Sequence, residues 1–169
     1  MNLLFLECET TGLDGSRLVE IAWAHPGSSV QALRVRPPVD IEIEASAVNH
    51  ISNAMVASLC GFQEHPSYGH IKEIIEASTI VAHNASFDIG VLNREGIFPK
   101  SFIDTKRLAV YTHPDIKKQN LQYLRYALGL EVDAVAHSAA GDVKVLMAVF
   151  YELCTKLSTG ELDEFVDMV

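Results

Sequence analysis

Apolar and polar positions along this chain repeat with two different periods, and the switch between them outlines an α/β protein. Leu3 to Cys8 is an apolar run of strand length, interrupted only by Glu7, as expected of a buried strand. Leu18 to Ala24 and Val30 to Val35 read as the next strands, with Pro26-Gly27-Ser28-Ser29 as the hairpin turn between them. Three strands so spaced predict an antiparallel meander. Pro37-Pro38 ends that pattern. Ser52 is placed to cap a helix through Ala54, Met55, Val56 and Leu59. Tyr68 to Ala77 follows as a helix with Ile71, Ile74 and Ile75 on one face. Thr79 to Ala82 and Phe102-Ile103 are short strands, and Ser86 opens a helix carrying Ile89, Val91 and Leu92. Further helices are predicted over Thr105 to Tyr111, Asn120 to Leu128 and Ala139 to Leu157, with Gly129 as a C-terminal stop and one more short helix after Gly160. This order predicts a five-stranded mixed sheet, three antiparallel strands and then parallel ones, with helices on both faces.

The length of 169 residues fits a single domain spanning the whole chain. Its 49% apolar and 21% charged residues are ordinary for a globular protein, and no apolar run reaches membrane-spanning length. The opening Met1-Asn2-Leu3-Leu4-Phe5-Leu6 has no basic region and meets Glu7 too soon for a signal peptide, so a cytoplasmic location is expected. Cys8, Cys60 and Cys154 are odd in number and far apart, which predicts reduced thiols and no zinc spacing. A net charge of −9 excludes binding nucleic acid by blanket phosphate attraction. A local basic rim drawn from Arg107, Lys117, Lys118 and Lys144 stays compatible with it, as do ordinary solvated surface charges at those positions.

Three short stretches carry the chemistry: Glu7-Cys8-Glu9-Thr10-Thr11-Gly12-Leu13, His83-Asn84-Ala85-Ser86-Phe87-Asp88, and His137-Ser138-Ala139-Ala140-Gly141-Asp142. Glu7 and Glu9 lie two apart on a strand and therefore share a face, which Cys8 leaves for the core side. Gly12 permits close approach by another chain, and Leu13 is placed either against a terminal base or in the core. Asp88 falls in the first turn of a helix, where the dipole favours an acid. His137 precedes Asp142 by five residues, a rotation of about 140°, so the two cannot share one helix face. His137 therefore belongs to the loop before the helix, and its ordinary pKa near 6.5 suits a general base. Should Glu7, Glu9, Asp88 and Asp142 converge, two carboxylates about 4 Å apart would repel by roughly 4 kcal/mol at an effective dielectric near 20. Such a cluster takes up protons or binds hard cations such as magnesium or manganese.

Taken in order, the three motifs resemble the DEDDh 3′→5′ exonucleases, the superfamily of the proofreading epsilon subunit. The resemblance runs through Leu18-Val19-Glu20-Ile21-Ala22 and Asp104-Thr105-Lys106-Arg107-Leu108-Ala109 and covers nearly the whole chain. It implies an RNase H-like fold, with Glu7, Glu9, Asp88 and Asp142 holding two Mg2+ or Mn2+ ions and His137 deprotonating the attacking water. The catalytic set it implies is thus Glu7, Glu9, Asp88, His137 and Asp142. Thr10, Thr11, Gly12, Leu13, Asn49, His50, Asn84 and Phe87 are the corresponding substrate-binding positions. The implied substrate is a nucleic-acid 3′ end, DNA favoured over RNA, released as nucleoside 5′-monophosphates in replication or repair.

Two departures stand out. The family's first acid is normally Asp and is Glu7 here, and its usual middle-segment His corresponds to Asn49, with His50 one place late. Three alternatives follow: an exoribonuclease on short RNA or RNA 3′ ends, a catalytically weakened binding or regulatory module because of Glu7, and, least favoured, a glycosidase using paired carboxylates. The apolar positions Val149, Phe150 and Leu153 read as core, with a homodimer surface as the other use. The sequence names no polymerase partner.

Overall fold

The computed structural model describes residues 1–169. Strands β1 (Leu3–Thr10), β2 (Leu18–Ala24) and β3 (Gln31–Arg34) form the expected antiparallel meander. Next come helices α1 (Ile43–Asn49), α2 (Asn53–Val56) and α3 (Tyr68–Glu76), strand β4 (Thr79–Ala82) and helix α4 (Ser86–Arg94). Strand β5 (Ser101–Asp104) leads into helices α5 (Thr105–Thr112), α6 (Leu121–Ala127) and α7 (Ala139–Cys154). A 3-10 turn (Glu161–Phe165) and strand β6 (Asp167–Met168) close the chain. The sheet order is β3-β2-β1-β4-β5-β6. β4 and β5 run parallel to β1, and β6 pairs antiparallel with β5.

Six strands therefore replace the five expected. The tail after Gly160 makes one helical turn and then adds an edge strand, held by Ser101↔Met168 and Phe102↔Asp167. Two residues are too short a run to register as a period. Helix α1 was not foreseen either, and the helix after Ser52 is a single turn whose N-cap hydroxyl makes no capping bond. The third strand is shorter than Val30 to Val35, and α7 stops three residues before Leu157.

Alternation along β1 distributes two cores. Leu4, Leu6 and Cys8 face α3 and α4, packing with Ile71, Ile75, Ile89, Val91 and Leu92. Phe5 faces the other way, onto α5 to α7, with Leu108, Leu124, Val145, Val149, Phe150 and Leu153. Val149, Phe150 and Leu153 are thus core residues, and the homodimer surface drawn from them does not exist on this face. Full burial of each such side chain contributes about 1.5–3 kcal/mol. Glu7 and Glu9 follow Phe5 on the same face, the side that carries α7. All three cysteines are free. No helix is long and apolar enough to cross a membrane.

The loop joining β1 to β2 is fixed from outside. Arg17 donates from Nε to Glu95 Oε1 at 2.9 Å and from Nη2 to Oε2 at 3.1 Å, and Leu18 N–H also reaches Oε1 at 3.2 Å. Glu95 is 3% exposed, so its charge depends on this partner. Arg17→Met should lower folding stability by about 3 kcal/mol, read as a drop in the denaturant midpoint. A midpoint like that of the parent chain would show that the ion pair is energetically neutral.

Candidate active site

The site forms where β1 outruns its parallel neighbour. Pairing between β1 and β4 ends at Phe5↔Val81, because the chain leaves β4 at Ala82 to begin α4. Beyond Phe5 the edge of β1 on that side has no strand partner. Asp88 fills the gap, its Oδ1 accepting from Cys8 N–H at 2.9 Å. On the other side β1 stays paired with β2, Glu7 opposite Ala22 and Glu9 opposite Glu20.

Asp142 arrives from the start of α7. Ser138 caps that helix by accepting Gly141 N–H at 3.2 Å. A Cβ at Gly141 would stand 2.0 Å from Val135 O, so glycine alone lets the preceding loop lie this close to the helix. In that loop His137 has φ +59°. Its N–H donates to Asp142 Oδ2 at 3.0 Å, while Gln122 Nε2 donates to Oδ1 at 2.5 Å. The His137 imidazole itself is exposed.

Glu7, Glu9, His137 and Asp142 line one cavity of about 610 Å³, together with Thr10, Gly12, Leu13, Asn49 and Phe87. Asp88 lies beside it, 1% exposed. Asp14, Glu42, Glu44, Ala45 and Val48 complete the wall. Glu42, Glu44, Ala45 and Val48 lie at or on α1, which the sequence did not reveal, and Asp14 lies in the turn after β1. Glu42 N–H donates to Thr11 O, and its carboxylate lies directly over Gly12, where a Cβ would stand 2.4 Å from Oε2.

Four of the remaining candidate positions have other structural duties. Asn49 Nδ2 donates to Thr10 O at 3.2 Å and its Oδ1 accepts from Ile51 N–H, so it braces α1 against β1 as well as lining the cavity. His50 closes α1 with φ +59° and is not among the residues that line the cavity. Thr11 is buried behind the wall and accepts from Arg17 N–H. Asn84, with φ +68°, donates its N–H to Asp104 Oδ1 and receives Lys106 Nζ on its Oδ1, outside the cavity. Leu13 is 80% exposed at the mouth, which removes the core alternative for it.

The basic rim does not assemble at the cavity. Arg107 is paired with Asp167 at 2.6 Å, Lys144 Nζ reaches Asp133 O, and Lys118 lies over the Tyr123 ring. None of these three, nor Lys117, lines the wall.

Electrostatics follow from the crowding. Burial, and then the charges of Asp88, Asp142 and Glu9, push the Glu7 carboxyl well above its ordinary range. Burial with Asp142, Glu20 and Asp88 lifts Glu9 to about 8, and burial lifts Asp88 to about 7 against the bonds from Cys8 that lower it. Asp142 is raised by burial too, opposed chiefly by its bond from Gln122. Burial raises the Cys8 thiol well above its usual value, so Cys8 is a core residue and not a nucleophile.

No three His, Cys, Asp or Glu side chains are yet gathered closely enough to grip a common ion. The donor set nonetheless fits a hard divalent cation: all-oxygen, anionic, and with Glu7 Oε2 shielded from solvent and without any hydrogen-bond partner.

Residues 4–150 match the model of the family described as Exonuclease. The chain belongs to that family. It is 31% identical over 158 residues to the DNA polymerase III subunit epsilon of Treponema pallidum (strain Nichols), covering 85% of this chain and 72% of that protein. It is 35% identical over 123 residues to exodeoxyribonuclease 10 of Escherichia coli (strain K12), 70% of this chain and 52% of that one. A DNA polymerase III subunit epsilon-like protein of Rhodobacter capsulatus is 28% identical over 98% of this chain, which spans only 25% of that relative. Among solved structures, exonuclease X in complex with 5′ overhanging duplex DNA superposes with a TM-score of 0.79 at 27% identity, over 96% of this chain and 98% of that one. The fold is the RNase H-like fold expected.

The raised carboxyls have a measurable consequence. Glu9 and Asp88 titrate in the folded, ion-free chain at about 8 and about 7, against ordinary values of 4.5 and 3.8. Their contribution is fully present below the ordinary values and is lost as pH rises through the folded ones. With a chelator present, the thermal midpoint should therefore fall from about pH 4 to about pH 8, and excess Mn2+ should flatten that fall. A midpoint that climbs across this window would contradict the crowding.

Proposed function

We propose that this chain is a metal-dependent 3′→5′ exonuclease of the DEDDh type, acting on DNA 3′ ends and releasing nucleoside 5′-monophosphates. The observation that carries the reading is the meeting of Glu7, Glu9 and Asp142, with Asp88 immediately behind, around a cavity that the His137 loop overhangs. Three separate segments contribute, and a glycosidase would need only two acids.

Glu7, Glu9, Asp88 and Asp142 would hold two divalent ions. Bound there, such ions lower the pKa of the attacking water and offset charge on the scissile phosphate. His137 accepts the proton of that water as the new P–O bond forms. The P–O3′ bond breaks, so the terminal nucleotide leaves with a 5′-phosphate and the shortened strand keeps a 3′-hydroxyl. The exposed imidazole, carried on a left-handed residue just before the cap of α7, reaches over the cavity without leaving its loop. Leu13 and Phe87 offer apolar surface for the terminal nucleotide, and the Thr10–Gly12 turn brings backbone close to it.

DNA is favoured because the Treponema pallidum subunit epsilon and exodeoxyribonuclease 10 are named for DNA work and the Exonuclease X structure holds duplex DNA. A structure titled for 3′-end recognition of a histone mRNA stem-loop shares the fold at 10% identity, which carries no substrate argument. Digestion of matched labelled DNA and RNA oligonucleotides with Mg2+ or Mn2+ tests the reading. Mononucleotides should appear from the DNA 3′ end, and His137→Ala should lose at least 100-fold in rate with little change in Mn2+ affinity. No product with either ion at high protein concentration would sink the proposal.

Glu7 supports a second reading, a module weakened in catalysis. Its extra methylene moves the carboxylate outward, and a 1 Å misplacement in a catalytic constellation can cost about 100-fold. On the exonuclease reading, Glu7→Asp changes a rate that is already measurable. A chain that is silent as it stands and becomes active only on Glu7→Asp would favour the weakened module instead.

A further inference from the structure

Helix α6 carries none of the three motifs, yet it supplies the shortest hydrogen bond made to any of the four acids. Gln122, in its first turn, donates from Nε2 to Asp142 Oδ1 at 2.5 Å. The amide nitrogen must face the carboxylate, since the amide oxygen can only accept. Asp142 Oδ2 is taken by His137 N–H at 3.0 Å. Each oxygen of Asp142 is thereby fixed by one donor and keeps a further lone pair directed into the cavity.

Gln122 is itself held from behind. Asn120 caps α6 by accepting Tyr123 N–H at 2.9 Å. Gln119 O lies 2.6 Å from His83 Nε2, and His83 Nδ1 lies 2.9 Å from Thr105 Oγ1. His83 is thus a brace that sets where α6 begins, and through α6 it sets where Gln122 points. The second motif and the third are tied together by this route.

We infer that Gln122 is a positioning residue that orients Asp142 for a divalent cation. The inference rests on the reading of the site given above. The chemical choice of donor is the argument. An ammonium or guanidinium at this place would orient Asp142 equally well, but its charge would compete with the cation for the carboxylate. A neutral amide orients the oxygen and leaves its charge available. The nearby cation on α6, Arg125, is drawn off to Val132 O and lies outside the cavity, where its charge lowers the Asp142 carboxyl less than the Gln122 bond does.

Gln122→Met keeps the side-chain length and removes the donor. Free Mn2+ followed by electron paramagnetic resonance gives the affinity of the whole chain without any turnover. The variant should bind Mn2+ about tenfold more weakly, with kcat lowered by a similar factor, KM for an oligonucleotide little changed, and a thermal midpoint within a few degrees of the parent. Parent-like Mn2+ affinity and kcat in Gln122→Met would overturn the inference. Losses that track a fallen thermal midpoint would overturn it as well, since they assign Gln122 to packing. A parent chain that takes up no Mn2+ would instead overturn the reading of the site as a cation cradle.

Discussion

Like charges forced together in a poorly hydrated cavity are the constraint around which this domain is arranged. Burial is the largest cause that raises all four carboxyls, with the charges of neighbouring acids behind it at Glu7 and Glu9. Such a group survives only where the chain cannot move away from it. Here β1 is paired with β2 from Phe5 to Thr10 and plugged on the other side by Asp88. Asp142 is tied at both oxygens. Asp88 and Asp142 are held by backbone amides and one side-chain amide, none of which cancels their charge. Glu7 Oε2, shielded and unpartnered, is the place where the arrangement is least satisfied.

Backbone irregularity is concentrated at the same places. The non-glycine residues with positive φ are His50, Asn84 and His137. Each adjoins a helix that borders the site: His50 closes α1, Asn84 precedes α4, and His137 precedes α7. A left-handed residue costs about 1–3 kcal/mol when the side chain is branched or bulky, and it persists only when its surroundings fix it. At Asn84 the fixing bond comes from Asp104, and at His137 it comes from Asp142. The fourth acid thus shapes the loop of the histidine proposed to work beside it. Loop and ligand are one structural unit, which is why Gly141 has to be small.

The sheet was legible because its strands are apolar runs between turn residues, and the central ones are buried on both faces. Helices α3 to α7 were legible from helical periodicity, and α6 also from Gly129, which stops it with φ +66°; the caps Asn120 and Ser138 show themselves only in the structure. Helix α1 was hidden because its apolar residues point outward. Ile43 is 83% exposed and Val48 51%, while Asn49 is the residue that turns inward. A helix that lines a cavity has no core-facing stripe to announce it, and the acids Glu42 and Glu44 went unread with it. From its own surroundings Asp88 reads as a helix-start acid, and only the family resemblance places it among the metal-holding acids. Its bond to Cys8 N–H spans 80 residues and depends on where β4 stops, which no local pattern records. Gln122 was invisible for a similar reason: an exposed-looking amide on an amphipathic helix acquires meaning only from what faces it.

Glu7 is the position where local geometry and inferred chemistry pull against each other. β1 cannot retreat to absorb an extra methylene, since Glu7 is locked opposite Ala22 in the ladder and its neighbours Leu6 and Cys8 are packed in the α3–α4 core. The adjustment must therefore fall on the side chain, which has one more rotatable bond than an aspartate and can fold back toward β1. Glu7 Oε2 is shielded from solvent and has no hydrogen-bond partner. The entropy lost in holding the longer chain in one rotamer, together with its greater desolvation, raises the cost of keeping it charged until a cation arrives. Burial outranks the three neighbouring charges among the causes that raise Glu7. Desolvation of this one carboxyl thus outweighs its repulsion by the other acids.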